Sequence, residues 1–298
     1  MTSNSHNTAV FIGTARDCAG WLPAVLNNLA QLARLYERTA FVFCVSDATD
    51  ATAALLHEWL GKDRVGKIIE LGDLSRRVTL RTERIAHARN ACLQEVRASA
   101  WAGYGHLVVT DMDEVLGAPL DIEAYTRAAA WLDAASDRAG VFASAAPRYY
   151  DVWALRHPDW SPYDCWHRIW ERPAQESFEA AKFREVFARQ IALPRHMSPI
   201  EVRSAFGGLG LYRMSSALHS RYIGLDALGR EVSEHVAFNE TIGRAGGRLY
   251  IFPYLQVRAP QQHLYNADEF GFRWRAIMRL REAIERYRPA WRSLSDAK

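Results

Sequence analysis

The sequence predicts an α/β fold, a mostly parallel β-sheet flanked by helices on both faces. Three observations predict it. From about residue 9 to residue 115, short apolar runs alternate with stretches of helical period. Three of those runs end in polar clusters: Thr14-Ala15-Arg16-Asp17, Ser46-Asp47 and Asp111-Met112-Asp113-Glu114. No internal repeat or low-complexity linker interrupts the chain.

The elements follow in order. AVFIGTARD is an apolar strand running into a polar turn. The next stretch places Leu22, Val25, Leu26, Leu29, Leu32 and Leu35 at spacings of three and four, one stripe of a helix facing a sheet. AFVFCVSD is a second strand, and a helix from about Thr49 to Leu60 is capped by the Ser46–Asp50 region. KIIEL is a third strand, Arg81 to Ser99 is helical by pattern, and HLVVTDMDEV is a strand followed by an acidic turn. Such sheets gather ligands beyond the carboxyl ends of their strands, so all three polar clusters belong on one rim. Past residue 140 the pattern changes: VFASAAPRYYDVWALR is a strand and an aromatic turn, 155–200 is irregular, and Phe206 to Arg213 is glycine-rich. A helix around Glu234 to Ala245 and the strand RLYIFPYLQVR close the folded region.

Composition excludes several classes. Of 298 residues, 49% are hydrophobic and 24% charged, which is globular rather than disordered. No apolar run approaches the ~20 residues needed to span a bilayer, and the polar start MTSNSHNT lacks the features of a signal peptide. Cys18, Cys44, Cys92 and Cys165 form no CxxC pair, so they read as small buried apolar residues in a reducing cytoplasm. A net charge of +3 excludes a polycation, and no nucleic-acid partner is expected. The excess is local: Gly271 to Lys298 holds eight Arg or Lys against three Asp or Glu.

Asp111 and Asp113 carry the chemistry. Alternate carboxylates at a strand end point into one cleft and bind a hard cation such as Mn2+ or Mg2+, which neutralises a diphosphate. A solvated turn is the plain alternative. With the strand-end DxD, the opening strand followed by Arg16-Asp17, and the segment RIAHARNACL from Arg84 to Leu93, the sequence resembles the GT-A glycosyltransferases across about residues 9 to 263. Within them it loosely resembles the fungal capsule mannosyltransferase-like group and its bacterial relatives, which also show a YYDxWALR-like segment.

The resemblance implies a Rossmann-like GT-A domain over residues 1–265, with a nucleotide- and metal-binding half at about 9–140 and an acceptor half at 141–265. Residues 266–298 form a basic amphipathic helical tail. The implied reaction moves a sugar from a nucleotide diphosphate donor, GDP-mannose by resemblance alone, to a carbohydrate or lipid-linked glycan acceptor in bacterial surface polysaccharide or glycolipid synthesis. Asp111, Asp113 and a C-terminal His263 hold the metal. Thr14, Arg16, Asp17, Asp47, Arg84, Arg89, Asn90 and Asp111 hold the donor, with Gly207 and Gly208 beside its sugar. Arg suits phosphate through its planar, permanently charged fork, although a solvated helix face is the plain reading of Arg84, Arg89 and Asn90. Aromatic faces in Arg148-Tyr149-Tyr150-Asp151-Val152-Trp153 stack on sugars while Asp151 bonds hydroxyls. Glu234, where many inverting members carry a carboxylate, or His235 in place of the usual second Asp, takes the acceptor proton; Glu234 as a plain cap residue is the alternative. The interleaved Arg and aromatic residues of the tail suit a peripheral contact at the inner face of a membrane, or an ordinary packed helix. Two other readings stand beside the transferase. VVTDMDEVL also looks like the first motif of haloacid-dehalogenase phosphatases, with Asp111 and Asp113 as nucleophile and acid, and a GT-A scaffold can bind a glycan without turnover.

Overall fold

The computed structural model describes residues 7–265 together with 276, 277, 279 and 280. Among these residues eight strands form one sheet. In chain order they are β1 (Thr8–Ala15), β2 (Arg38–Val45), β3 (Gly66–Glu70), β4 (His106–Asp111), β5 (Arg138–Ala146), β6 (Ile200–Val202), β7 (Leu209–Arg213) and β8 (Arg248–Arg258). Their spatial order is β3-β2-β1-β4-β7-β5-β8-β6. The pairs β3-β2, β2-β1, β1-β4 and β5-β8 are parallel; β7 runs antiparallel to both neighbours, and β6 antiparallel to β8.

Both faces are buried at the centre because β1, β2, β4 and β5 are apolar at successive positions, while the edge strands β3 and β6 are partly exposed. In β1, Val10 and Ile12 join the core beneath α3 (Arg81–Ala98) and α8 (Glu234–Arg244). Ala9 and Phe11 point the other way, into the core formed with α1 (Leu22–Ala33), α2 (Thr52–Leu60) and α4 (Ile122–Asp133). This is the continuous apolar pattern of a doubly covered sheet. The four cysteines are free and buried, as their spacing predicts.

Several boundaries differ from the sequence reading. Leu35, counted in the stripe of α1, lies beyond the helix end and is 37% exposed. α2 starts at Thr52, though Asp50 in the expected cap region does accept from the Thr52 N–H at 2.9 Å. α4, which the sequence reading passed over, begins at an Asp121 cap whose carboxylate accepts from Ala124 N–H at 2.9 Å. The irregular stretch holds two short helices, α5 (Cys165–Trp170) and α6 (Phe178–Glu185). The glycine-rich segment becomes β7, a buried mid-sheet strand followed by the one-turn helix α7 (Met214–Ala217). Of the expected tail, Ala276, Ile277, Arg279 and Leu280 are helical and exposed, and the rest lies outside the described residues. No helix among the described residues is long and apolar enough to cross a membrane.

Candidate active site

The carboxyl ends of β1, β2 and β4 open onto a cavity of about 470 Å³. Thr14 and Arg16 enter it from β1, Asp47 from β2, and Asp111 and Asp113 from β4, so the three polar clusters do meet on one rim. Arg81, Arg84, Ile85, Ala88 and Arg89 form its α3 wall, at the spacing of one helix face. Tyr150, Asp151, Trp153, Phe206, Glu234, His235 and His263 also line it.

At the centre lies Arg89, side chain 5% exposed, donating from Nε to Glu234 Oε1 at 2.9 Å and from Nη2 to Asp111 Oδ1 at 3.0 Å. Phe206 covers it, with the guanidinium carbon 4.9 Å from the ring centroid. Its Nη1 is buried without a partner. Arg89 therefore ties Asp111, at the end of β4, to the carboxylate at the start of α8. Burial pushes the Asp111 carboxyl up to about 7, and Asp113 adds to the rise while Arg89 opposes it. Asp113 accepts from Val115 N–H at 3.1 Å and is otherwise exposed.

The remaining acids differ in role. Asp151 accepts from the Gly207 N–H at 3.0 Å, and burial raises its pKa. Asp47 stands at φ 54° and accepts from Ser75 N–H through Oδ1 at 2.8 Å, while its Oδ2 is buried and unpartnered. Burial alone would raise its pKa, but the Ser75 bonds and the charges of Arg16 and Arg84 hold it below the ordinary value. The buried His235 ring stacks on Phe206 at 3.8 Å between centroids. Its Nε2 is 3.4 Å from Glu234 Oε1, neither ring nitrogen has a hydrogen-bond partner, and burial, with Arg89 beside it, holds its pKa well below 6.5. His263 stacks on Tyr150 with planes 8° apart, and burial lowers its pKa against the pull of Asp151 and Asp113.

Four expected donor residues do not line the cavity. Asp17, at φ 45°, accepts from both the N–H and the hydroxyl of Thr49, joining the two turns behind Arg16. Asn90 clamps the main chain of Tyr222 through both ends of its amide, at 2.8 and 3.0 Å. Gly207 and Gly208 lie behind the acidic turn, where Gly208 O accepts from Asp111 N–H at 2.9 Å. Arg84 does reach the wall, but its guanidinium also donates to Val78 O and Thr79 O. The sequence reading missed Arg81, whose signal was its spacing from Arg84, Ile85 and Ala88 on one face.

The donor set fits a hard divalent cation: two carboxylates one residue apart, with the inner one held near neutrality by burial and only partly offset by Arg89. Among the described residues no three His, Cys, Asp or Glu side chains form a ready-made metal set. His263 lines the same cavity without completing one. A cation at Asp111 and Asp113 would draw its remaining ligands from phosphate oxygens and water, the usual situation for Mg2+.

No protein-family model matches this chain, and no curated protein matches it. Solved structures do. The mannosyltransferase PcManGT from Pyrobaculum calidifontis, in complex with GDP-Man and Mn2+, superposes with a TM-score of 0.50 at 16% identity, over 85% of this chain and 57% of that one. S. aureus TarS superposes with a TM-score of 0.50 at 12% identity, over 88% of this chain and 38% of that one. The fold is of the GT-A kind. The chain spans little more than half the length of the first of these structures and well under half of the second.

Proposed function

We propose that this protein is a metal-dependent glycosyltransferase acting from a nucleotide diphosphate sugar onto a carbohydrate acceptor. The observation that carries the proposal is the cavity at the strand ends, in which Arg89 joins the Asp111-Met112-Asp113 turn to Glu234 at the start of α8. A divalent cation on Asp111 and Asp113 would supply charge neutralisation for the diphosphate leaving group. Arg16, Arg81 and Arg84 surround the same space with fixed positive charge suited to phosphate. The unmet Asp47 Oδ2 offers an acceptor to an N–H or O–H of the nucleoside.

Tyr150 and Trp153 line the same cavity and suit an acceptor sugar, which aromatic rings can contact. Glu234, one oxygen held by Arg89, is positioned to receive a proton from an acceptor hydroxyl through the other. His235, kept neutral by burial, is a second acceptor beside it. Asp151, bonded to main-chain amides, suits hydroxyl binding. GDP-mannose as donor rests on the likeness of Arg84 to Leu93 to the capsule mannosyltransferase-like group, and the PcManGT structure was solved with that donor. The phosphatase reading is not favoured: Asp111, its nucleophile, is paired with Arg89, and no lysine is among the residues lining the cavity.

The test is thermal stability against a panel of nucleotide diphosphates with and without Mn2+, for the wild-type protein and Asp113→Ala. Ligand at ~100 Kd stabilises by roughly 2.7 kcal/mol. A shift for one nucleotide, only with metal and lost in Asp113→Ala, is expected. No shift with any nucleotide would falsify the transferase reading.

A further inference from the structure

Between β5 and β6 Trp166 and Trp170 of α5 and Phe178 of α6 stay partly or largely exposed, whereas Phe183 of α6 is buried. Asp164 caps α5, accepting from the Trp166 and His167 N–H groups at 3.0 and 3.1 Å, and Arg156 Nη2 fixes Asp164 from behind at 2.6 Å. Trp166 and Trp170 stand four residues apart and share one helix face; their ring centroids are 6.2 Å apart with planes 27° from parallel. Phe178, opening α6, lies 5.5 Å from Trp170. On the inner side Trp166 meets Trp153 edge-on at 6.2 Å, and Trp153 lines the cavity. The rings thus run in a continuous row from the cavity to Trp170, which is 65% exposed.

A single exposed apolar side chain needs no explanation, but a contiguous aromatic row does. The row also holds an unmet donor: Trp153 Nε1 is buried without a partner, whereas a buried indole N–H ordinarily finds one. A ligand that stacks on ring faces and also offers hydroxyl acceptors satisfies both features. Pyranose rings do so, because their C–H faces are apolar and their rims carry hydroxyls. A bilayer satisfies only the first, and the row leads into a cleft rather than spreading over a flat patch.

We propose that Trp153, Trp166, Trp170 and Phe178 form a platform for a linear oligosaccharide, holding the acceptor units beyond the one inside the cavity; this rests on the transferase reading above. The capped α5 keeps the platform rigid, so little ordering is required on binding. The acceptor is therefore an extended glycan and not a free monosaccharide.

The full chain, applied to an immobilised panel of linear oligosaccharides and their monosaccharides, tests this. The wild-type protein is expected to be retained by at least one oligosaccharide and by none of the matching monosaccharides. Trp170→Ala and Trp166→Ala should each weaken retention about tenfold, as truncated aromatic anchors do, and Trp170→Phe should restore most of it. Retention by no oligosaccharide, or equal retention of wild type and Trp170→Ala, overturns the platform. So does Trp170-dependent binding to vesicles of phosphatidylcholine and phosphatidylglycerol in equal parts without glycan binding, which assigns the row to a membrane. Melting shifts with nucleotide and Mn2+ on the same samples separate the two readings. An intact shift with no Trp170-dependent glycan binding sinks the platform alone. Trp170-dependent glycan binding with no nucleotide shift sinks the transferase reading alone.

Discussion

Arg89 is the counter-charge of two carboxylates, the buried Glu234 and the largely covered Asp111. Breaking a buried ion network by removing one partner is costly, because the other charges stay behind. Arg89→Ala is therefore expected to lose about 3–5 kcal/mol in urea unfolding. Glu234→Gln keeps an oxygen to accept from Arg89 Nε, so its stability should change far less, while transfer activity falls sharply if Glu234 takes the acceptor proton. Equal activity in Glu234→Gln and wild type would remove Glu234 from the chemistry.

Asp111 gives a pH signature with a definite sign. Its folded-state pKa is raised from 3.8 to about 7, so its stabilising contribution is full below the ordinary value and lost as pH rises through about 7. Metal-free protein should thus lose stability between about pH 4 and 7 relative to Asp111→Asn, which should show a flatter urea midpoint over that window. Stabilisation by Mn2+ should grow over the same window, since the metal needs the carboxylate. A quarter of the side chain remains exposed, so solvent moderates the slope. The DxD pair could be read in the sequence because an apolar strand delivers it to a predictable rim. The Arg89–Glu234 pair could not, since 145 residues separate its members and no periodicity connects them. Asn90 was misassigned for a related reason: it adjoins Arg89 in sequence, but one step along a helix turns it by about 100° toward Tyr222.

At the scale of elements, the Gly207–Gly208 bend supports the acidic turn from behind. Gly207 has φ 68°, and a Cβ there would lie 2.5 Å from Ala143 O, a backbone atom that has little room to move. Gly207→Ala should cost about 1–3 kcal/mol. It should also weaken metal-dependent nucleotide binding, because the neighbouring Gly208 O holds the Asp111 N–H. Thermal melts with and without Mn2+ and nucleotide would show both effects, and an unchanged apo melt would refute the strain argument. The sequence showed the glycine-rich run from Phe206, and φ angles of 68° and 88° at Gly207 and Gly208 are why glycine is needed there. It gave no sign that the bend leads into an antiparallel strand, since partner choice is decided by which sheet position stays vacant. In α4 the buried stripe of Ala124, Tyr125, Ala128 and Leu132 is half alanine, which weakens its contrast, although Asp121 and Glu123 mark the helix start.

Across the whole molecule, the two halves share one sheet. β7, from the later half, sits between β4 and β5, with His106 opposite Arg213 and Thr110 opposite Leu209. A fragment ending at residue 146 would leave β4 and β5 without the strand that joins them. It should show no sharp thermal transition by circular dichroism and should elute as aggregate, because open buried edges pair with other chains. A monomeric fragment with a cooperative melt would show that the earlier half folds alone. The parallel half was legible from strand and helix alternation; the insertion of β7 was not, because it depends on contacts about a hundred residues apart in sequence.

That insertion also sets a clock on synthesis. A chain emerging from its N-terminus presents β4 and β5 well before β7, and at about 5–20 residues per second the interval is on the order of several seconds. During it β4, paired with β1 on one side, keeps its other edge free, and β5 has neither of its neighbours, β7 and β8. The yield of native protein should respond less to the final stability of the fold than to how well chaperones shield the nascent chain until Arg213 has emerged.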